Sequence, residues 1–137
     1  MIHAAPETLL CFDFGERRIG VALGNSLTGT ARSLAIVEEP VNDRRFEKIA
    51  RLIADWQPQR LVVGRALLED GAPSPTTLRC ERFARQLHGR FGLPVESVDE
   101  RFSSLAAQSS LGSRNLADDA EAAAIILRQY LDEHRHA

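Results

Sequence analysis

The run Leu9-Leu10-Cys11-Phe12-Asp13-Phe14-Gly15 constrains this chain more than any other segment. It is apolar enough to be a buried strand, yet it carries a carboxylate. Burying a lone carboxylate is costly unless a cation, a proton or a dense set of hydrogen bonds meets it. Strand alternation puts Asp13 on one face with Leu9 and Cys11, and Leu10, Phe12 and Phe14 on the other. Asp13 can also be read as a turn residue that bonds the backbone at Gly15.

Two further acidic sites fall where a fold could aim them at the same point. Asp99-Glu100 follows an apolar strand, and Asp118-Asp119 stands at the expected start of the last helix. Positions 119, 122, 123, 126, 127 and 130 form one helical stripe, so Asp119 points inward while Asp118 can act as a cap. Dipole complementation alone would also explain acids there. For Asp99 and Glu100 the strand pattern does not choose between the two, and a solvated acid–base cluster is the plainer reading. Three converging carboxylates point to a divalent metal.

The rest of the pattern is α/β. Strands are expected at Leu9–Phe14, Ile19–Gly24 and Ser33–Glu38, then at Arg60–Gly64 and Val95–Val98. Asn42 or Asp43 can cap a helix reaching Trp56, which Pro58 ends. A second helix is expected from Pro75 to Phe91, stopped by Gly92 and Pro94. A short helix follows from Ser103 or Ser104 to Ser110, then a polar loop from Leu111 to Leu116, then the last helix from Asp118 to Glu133. Three successive strands suggest an antiparallel meander, and the later β-α-β units require parallel additions. The expectation is one mixed five-stranded sheet flanked by helices.

At 137 residues the chain fits one domain, residues 1–137, with an ordered core over about 8–133. No apolar run approaches the roughly 20 residues that span a bilayer, and the first residues lack a signal-peptide pattern, so the expected compartment is the cytoplasm. Cys11 and Cys80 show no ligand spacing, which argues against zinc. The formal net charge of −2 argues against wholesale coating of nucleic acid. Lys48 is the lone lysine among 17 basic residues. Arginine's planar fork matches phosphate, although genomic base composition explains such a bias equally well.

Asp13-Phe14-Gly15-Glu16-Arg17-Arg18-Ile19-Gly20-Val21-Ala22 resembles the opening motif of the YqgF/RuvX family. Val62-Val63-Gly64 with Asp70-Gly71 resembles its second motif, Asp99-Glu100-Arg101-Phe102-Ser103-Ser104 its third, and Asp119 with Ala123–Leu127 and Tyr130 its last helix. The resemblance runs from Leu9 to Tyr130 in motif order. It implies a ribonuclease H-like fold and a family described as Holliday-junction resolvases or pre-16S rRNA nucleases. It further implies Asp13, Glu100 and Asp119 as catalytic, metal-binding carboxylates for Mg²⁺, with Mn²⁺ as a substitute. Arg17, Arg18, Arg65 and Arg101 are the candidates for positioning phosphate. Three departures stand out: Gly24-Asn25 where the family has Ser-Asp, Arg65-Ala66 where it has Leu-Pro, and Ala117 where it has lysine.

The expected activity is therefore metal-dependent endonucleolytic hydrolysis of structured RNA, in processing the 5′ end of pre-16S rRNA. One alternative is a junction-resolving DNA endonuclease, which needs a symmetric dimer. Another is a ribosome-assembly factor that binds RNA without cutting. An actin-like ATPase, which also begins with Asp-x-Gly, is disfavoured by length and by the absence of a Walker loop. The expected partner is nucleic acid and not a membrane, with the chain a monomer or a homodimer.

Overall fold

A computed structural model describes residues 6–15, 17–65, 70–99 and 116–134, with the side chains of the last segment described from residue 120. The elements are β1 (Thr8–Asp13), β2 (Arg18–Asn25), β3 (Thr30–Glu38), α1 (Asn42–Trp56), β4 (Arg60–Arg65), α2 (Pro75–Phe91), β5 (Val95–Asp99) and α3 (Leu116–His134). The sheet order is β3-β2-β1-β4-β5. β1, β2 and β3 pair antiparallel, and β4 and β5 add in parallel. This is the mixed sheet expected from the order of elements. The expected short helix over 103–110 and the loop over 111–115 lie outside the described residues.

Alternation along β1 divides the core. Leu10 and Phe12 pack with Ile19, Val21, Val63, Phe46, Ile49, Phe83 and Leu87, beneath α1 and α2. Leu9 and Cys11 pack with Ala22, Val62, Ala123, Ile126 and Leu127, beneath α3. The stripe expected on α3 is buried at Ala122, Ala123, Ile126, Leu127 and Tyr130, and burial extends to Ala120, Ala124 and Leu131.

Most strand ends shift by one residue, and three differences go further. β3 begins at Thr30 rather than Ser33, because the turn after β2 is tighter than its composition suggested. Gly29 N–H donates to Asn25 O at 2.9 Å, with Gly29 at φ 70°, and the Asn25 side chain accepts from Leu27 N–H. The N-cap of α1 is Val41, with no side-chain cap hydrogen bond, so neither Asn42 nor Asp43 caps it. Buried Arg45 fixes that entry instead, its Nε donating to Glu39 O at 2.7 Å. α3 begins at Leu116, which puts Asp118 inside the first turn rather than ahead of it. In contrast, α2 has the expected bounds. Ser74 and Thr77 form a reciprocal capping box, Pro75 starts the helix, and Gly92 ends it in the left-handed region.

A polar cluster ties the far end of α3 to the sheet. Arg60 Nε donates to Glu7 Oε1 at 3.1 Å, and its Nη1 lies 3.6 Å from Glu96 Oε1. Tyr130, 5 % exposed, is held protonated well above the usual phenol range, first by burial and then by its hydrogen bond to Glu96. The unfolded phenol ionises near pH 10 while the folded one does not, so stability falls as pH rises above about 10. Melting temperatures between pH 9 and 11.5 should therefore fall more steeply in the native chain than in Tyr130→Phe; parallel curves would contradict this.

The seam between α3 and the sheet is tight. A Cβ at Gly24 would stand 2.6 Å from Leu127 Cδ2 and 3.1 Å from Thr30 O. Gly24→Val should cost about 1–3 kcal/mol by overpacking, and Leu127→Ala about 2–5 kcal/mol by leaving a cavity. Denaturant unfolding checks both, with unchanged midpoints as the adverse result.

Candidate functional site

Asp13 is the last residue of β1 and is half-buried. Its parity is that of Leu9 and Cys11, which face α3. Beside it on β2 stands its direct partner, Gly20. On the other side, one register step beyond Phe12–Val63, stands Gly64, with the parity of Val62. The strand-end carboxylate is thus flanked across the sheet by two residues without side chains.

The strands β1, β4 and β5 run parallel, so Asp13, Arg65 and Asp99 all lie at one edge of the sheet. In α/β sheets this carboxyl edge is where ligands bind. The direction of α3 brings its first turn to the same edge. Arg128 Nη2 donates to Ala31 O at 3.1 Å, level through the register with Leu9. Seven residues earlier, Ser33 Oγ donates to Glu121 at 3.4 Å, level with Cys11. Going back along α3 therefore moves from Leu9 toward Asp13. Position 119 lies on the stripe of Ala122, Ala123 and Ile126, one turn nearer that edge.

β5 supplies the parity that the sequence did not. Val98 packs against the α3 cluster, and Glu96 bonds Tyr130 of α3. Asp99, the last residue of β5, has the opposite parity. Glu100 and Arg101 lie outside the described residues, as do the side chains of Asp118 and Asp119. Among the described residues no group of three His, Cys, Asp or Glu side chains could hold a metal.

The arginines divide. Arg17 is exposed in the turn before β2, and Arg18 is half-buried as the first residue of β2. Arg65 ends β4, with Nη1 3.8 Å from Glu81 Oε1, and its buried Nε has no acceptor among the described residues. Sequence reasoning passed over Arg45. This residue is 5 % exposed, and its guanidinium lies 5.6 Å from the Phe14 ring, against the residue that follows Asp13. Phe14 also packs on Phe83 at 4.9 Å. Nothing in the helix pattern marks Arg45 as buried, because the apolar positions Phe46 and Ile49 already define the inward face. A Cβ on Gly15 would come within 2.5 Å of Arg18 O, so the backbone leaving Asp13 is close-packed as well.

Among the described residues no helix is long and apolar enough to cross a membrane. Comparison with known proteins places the chain. A protein from Bordetella avium (strain 197N), named "Putative pre-16S rRNA nuclease", is 61% identical over 126 residues, covering 92% of this chain and 95% of its own. One of the same name from Burkholderia cenocepacia (strain HI2424) is 48% identical over 143 residues, covering 97% and 96%. The fold is shared with Thermus thermophilus RuvC, solved in complex with a Holliday junction substrate (TM-score 0.55, 17% identity, 92% and 94% covered). It is shared also with the Fowlpox virus resolvase, solved with Holliday junction DNA (TM-score 0.57, 13% identity, 92% and 97% covered). The ribonuclease H-like architecture expected from the sequence is the one these resolvases have. The family model for RuvX, described as Holliday junction resolvase, matches residues 7–133, and this chain belongs to that family.

Proposed function

We propose that this chain is a nuclease that hydrolyses phosphodiester bonds in structured RNA at the Asp13 edge of the sheet, with pre-16S rRNA as its substrate. The observation that carries the reading is the strand-end carboxylate of Asp13, facing α3 between Gly20 and Gly64. A buried strand seldom ends on an acid, and here neither strand neighbour brings a side chain beside it. The relatives' name supplies the substrate.

The donor chemistry fits a hard divalent cation: carboxylate oxygen, with neither thiol nor imidazole at this edge among the described residues. Asp13, Glu100 and Asp119 are the residues proposed to hold Mg²⁺, and Mn²⁺ could replace it. Asp99 has the parity opposite to Val98, which packs against α3, and this supports Glu100 as the ligand in this reading; the helical stripe supports Asp119 over Asp118. When bound, the metal supplies Lewis-acid activation of water and neutralises charge at the scissile phosphate. Asp13 binds and orients from the rigid centre of the sheet. Arg18 and Arg65, at the ends of neighbouring strands, would fix the phosphate on either side, with Arg17 and Arg101 as further contacts. No side chain is required to form a covalent intermediate.

A second reading, junction-resolving cleavage of DNA, is favoured by the family's description. It would share the same carboxylates. Incubating the protein with Mg²⁺ and either a pre-16S rRNA fragment or a four-way DNA junction separates the two. The expected result is cutting of the RNA; cutting of the junction alone would overturn the substrate assignment.

Asp13→Asn should lower RNA cleavage by at least about 100-fold, more than is typical for residues that only support a metal ligand. It should leave the far-ultraviolet circular dichroism spectrum intact. Cleavage within a few-fold of the native chain would remove Asp13 from the site.

Mg²⁺ linkage gives a readout independent of turnover. At about 100 times its dissociation constant, a bound ion stabilises by about 2.7 kcal/mol. Mg²⁺ should therefore raise the melting temperature of the native chain more than that of Asp119→Asn. Chelation should abolish the difference, and equal responses would count against Asp119 as a ligand.

A further inference from the structure

The outward face of α2 carries a charge pattern that hydrolysis at Asp13 does not require. Arg79, Arg82, Arg85 and His88 recur at every third position, and all four are exposed. Residues three apart on a helix are neighbours, with Cβ atoms about 5–6 Å apart, and like charges at such spacings repel. The neighbours of Arg82 at three and four residues are Leu78, Arg79, Arg85 and Gln86, none of them acidic. Glu81 is the one acid on α2, and it faces Arg65 at 3.8 Å.

Within the series Arg79 has a partner, and several arginines outside the series are engaged as well. Arg60 meets Glu7, Arg90 meets Asp43, Arg128 meets Glu121, and Arg45 bonds a backbone carbonyl. Arg82 and Arg85 make no ion pair among the described residues. Four arginines against one glutamate in 17 residues contrast with a formal net charge of −2 for the whole chain. His88 and Arg90 stand in the last turn, where they complement the helix dipole, but Arg79, Arg82 and Arg85 stand before it.

The series starts at the same edge of the sheet, although α2 covers the face opposite the Asp13 carboxylate, where Phe83 packs on Phe14 with ring centroids 4.9 Å apart. Glu81 reaches Arg65 at the end of β4. From Arg79 to His88 the helix rises roughly 13.5 Å, the axial length of about four nucleotides of one strand.

We propose that the Arg79-Arg82-Arg85-His88 ridge of α2, which winds half-way round the exposed side of the helix, is a track for the backbone phosphates of an RNA strand leading away from the Asp13 edge. The inference rests on the nuclease reading for its substrate, but its test does not depend on cleavage. His88 Nδ1 lies 2.9 Å from Leu93 O, which leaves the opposite ring edge for solvent or ligand. Contacts of this kind carry affinity without base sequence and weaken as salt rises.

The test is fluorescence anisotropy with a labelled single-stranded fragment of pre-16S rRNA, in EDTA, across a salt series, using the full chain. Arg82→Gln with Arg85→Gln should make the slope of log affinity against log salt shallower by about 1.4, two contacts at about 0.7 each, and weaken binding about tenfold at low salt. Arg82→Lys with Arg85→Lys should keep most of the slope, and all variants should melt with the native chain. Arg44→Gln with Arg51→Gln removes the same charge from the exposed side of α1 and should shift the slope by less than half as much. Native-like binding by the Gln double variant, or an equal loss in the α1 control, overturns the track. Loss confined to a four-way DNA junction, with RNA binding unchanged, overturns the RNA assignment. A native chain that binds through α2 but never cleaves would keep the track and remove the nuclease reading; cleavage with unchanged binding by the Gln double variant would do the reverse.

Discussion

The structure depends on the parity of one strand. β1 is the centre of a five-stranded sheet covered on both faces, so each of its side chains is committed to one layer. A slip of one residue would exchange Leu9 and Cys11 for Leu10 and Phe12 beneath α3 and turn Asp13 to the other side. The two clusters exclude that slip, because Phe12 fits among Phe83, Ile19 and Val63, whereas Cys11 fits the closely packed α3 face with Ala123 and Ala124. Hydrophobic packing thereby aims a carboxylate.

That arrangement accounts for how the fold and the proposed chemistry share residues. The small residues Ala122, Ala123 and Ala124 let α3 lie close to the sheet, and Gly24 gives way to Leu127. At one end of α3 the Glu7-Arg60-Glu96-Tyr130 cluster fixes the helix. At the other end its first turn meets the edge where Asp13 stands. Anchoring the helix far from that edge leaves the edge free to be polar, which a site for phosphate requires.

Much of this was legible in the sequence, because it depends on local pattern. The face of Asp13 followed from alternation through Leu9 and Cys11, and the stripe of α3 followed from helical spacing. The bounds of α2 followed from Ser74, Pro75 and Gly92, whose backbone roles are local. What was not legible depends on contacts distant in sequence or on polar residues in regular structure. The exposed start of β3, Thr30 to Ser33, has too little apolar alternation to announce a strand. Buried Arg45 needs Phe14 and Glu39 around it before its burial makes sense. Asp99 and Glu100 could not be separated, because Val95-Glu96-Ser97-Val98 does not alternate. Only the contacts of Glu96 and Val98 with α3 supply the parity. The i+3 series on α2 was present in the sequence, but its meaning depends on where the fold puts that helix, with Glu81 reaching Arg65 at the end of β4.

The most direct measurement of the central claim, that this sheet edge gathers carboxylates around a cation, is anomalous diffraction from a crystal soaked in Mn²⁺. The account predicts anomalous density beside the Asp13 carboxylate, on the α3 side of β1, with Glu100 and Asp119 oxygens also within about 2.0–2.3 Å of the ions. An Asp13 carboxylate with no manganese near it at saturating concentration, or manganese bound only at acids elsewhere on the surface, would contradict it.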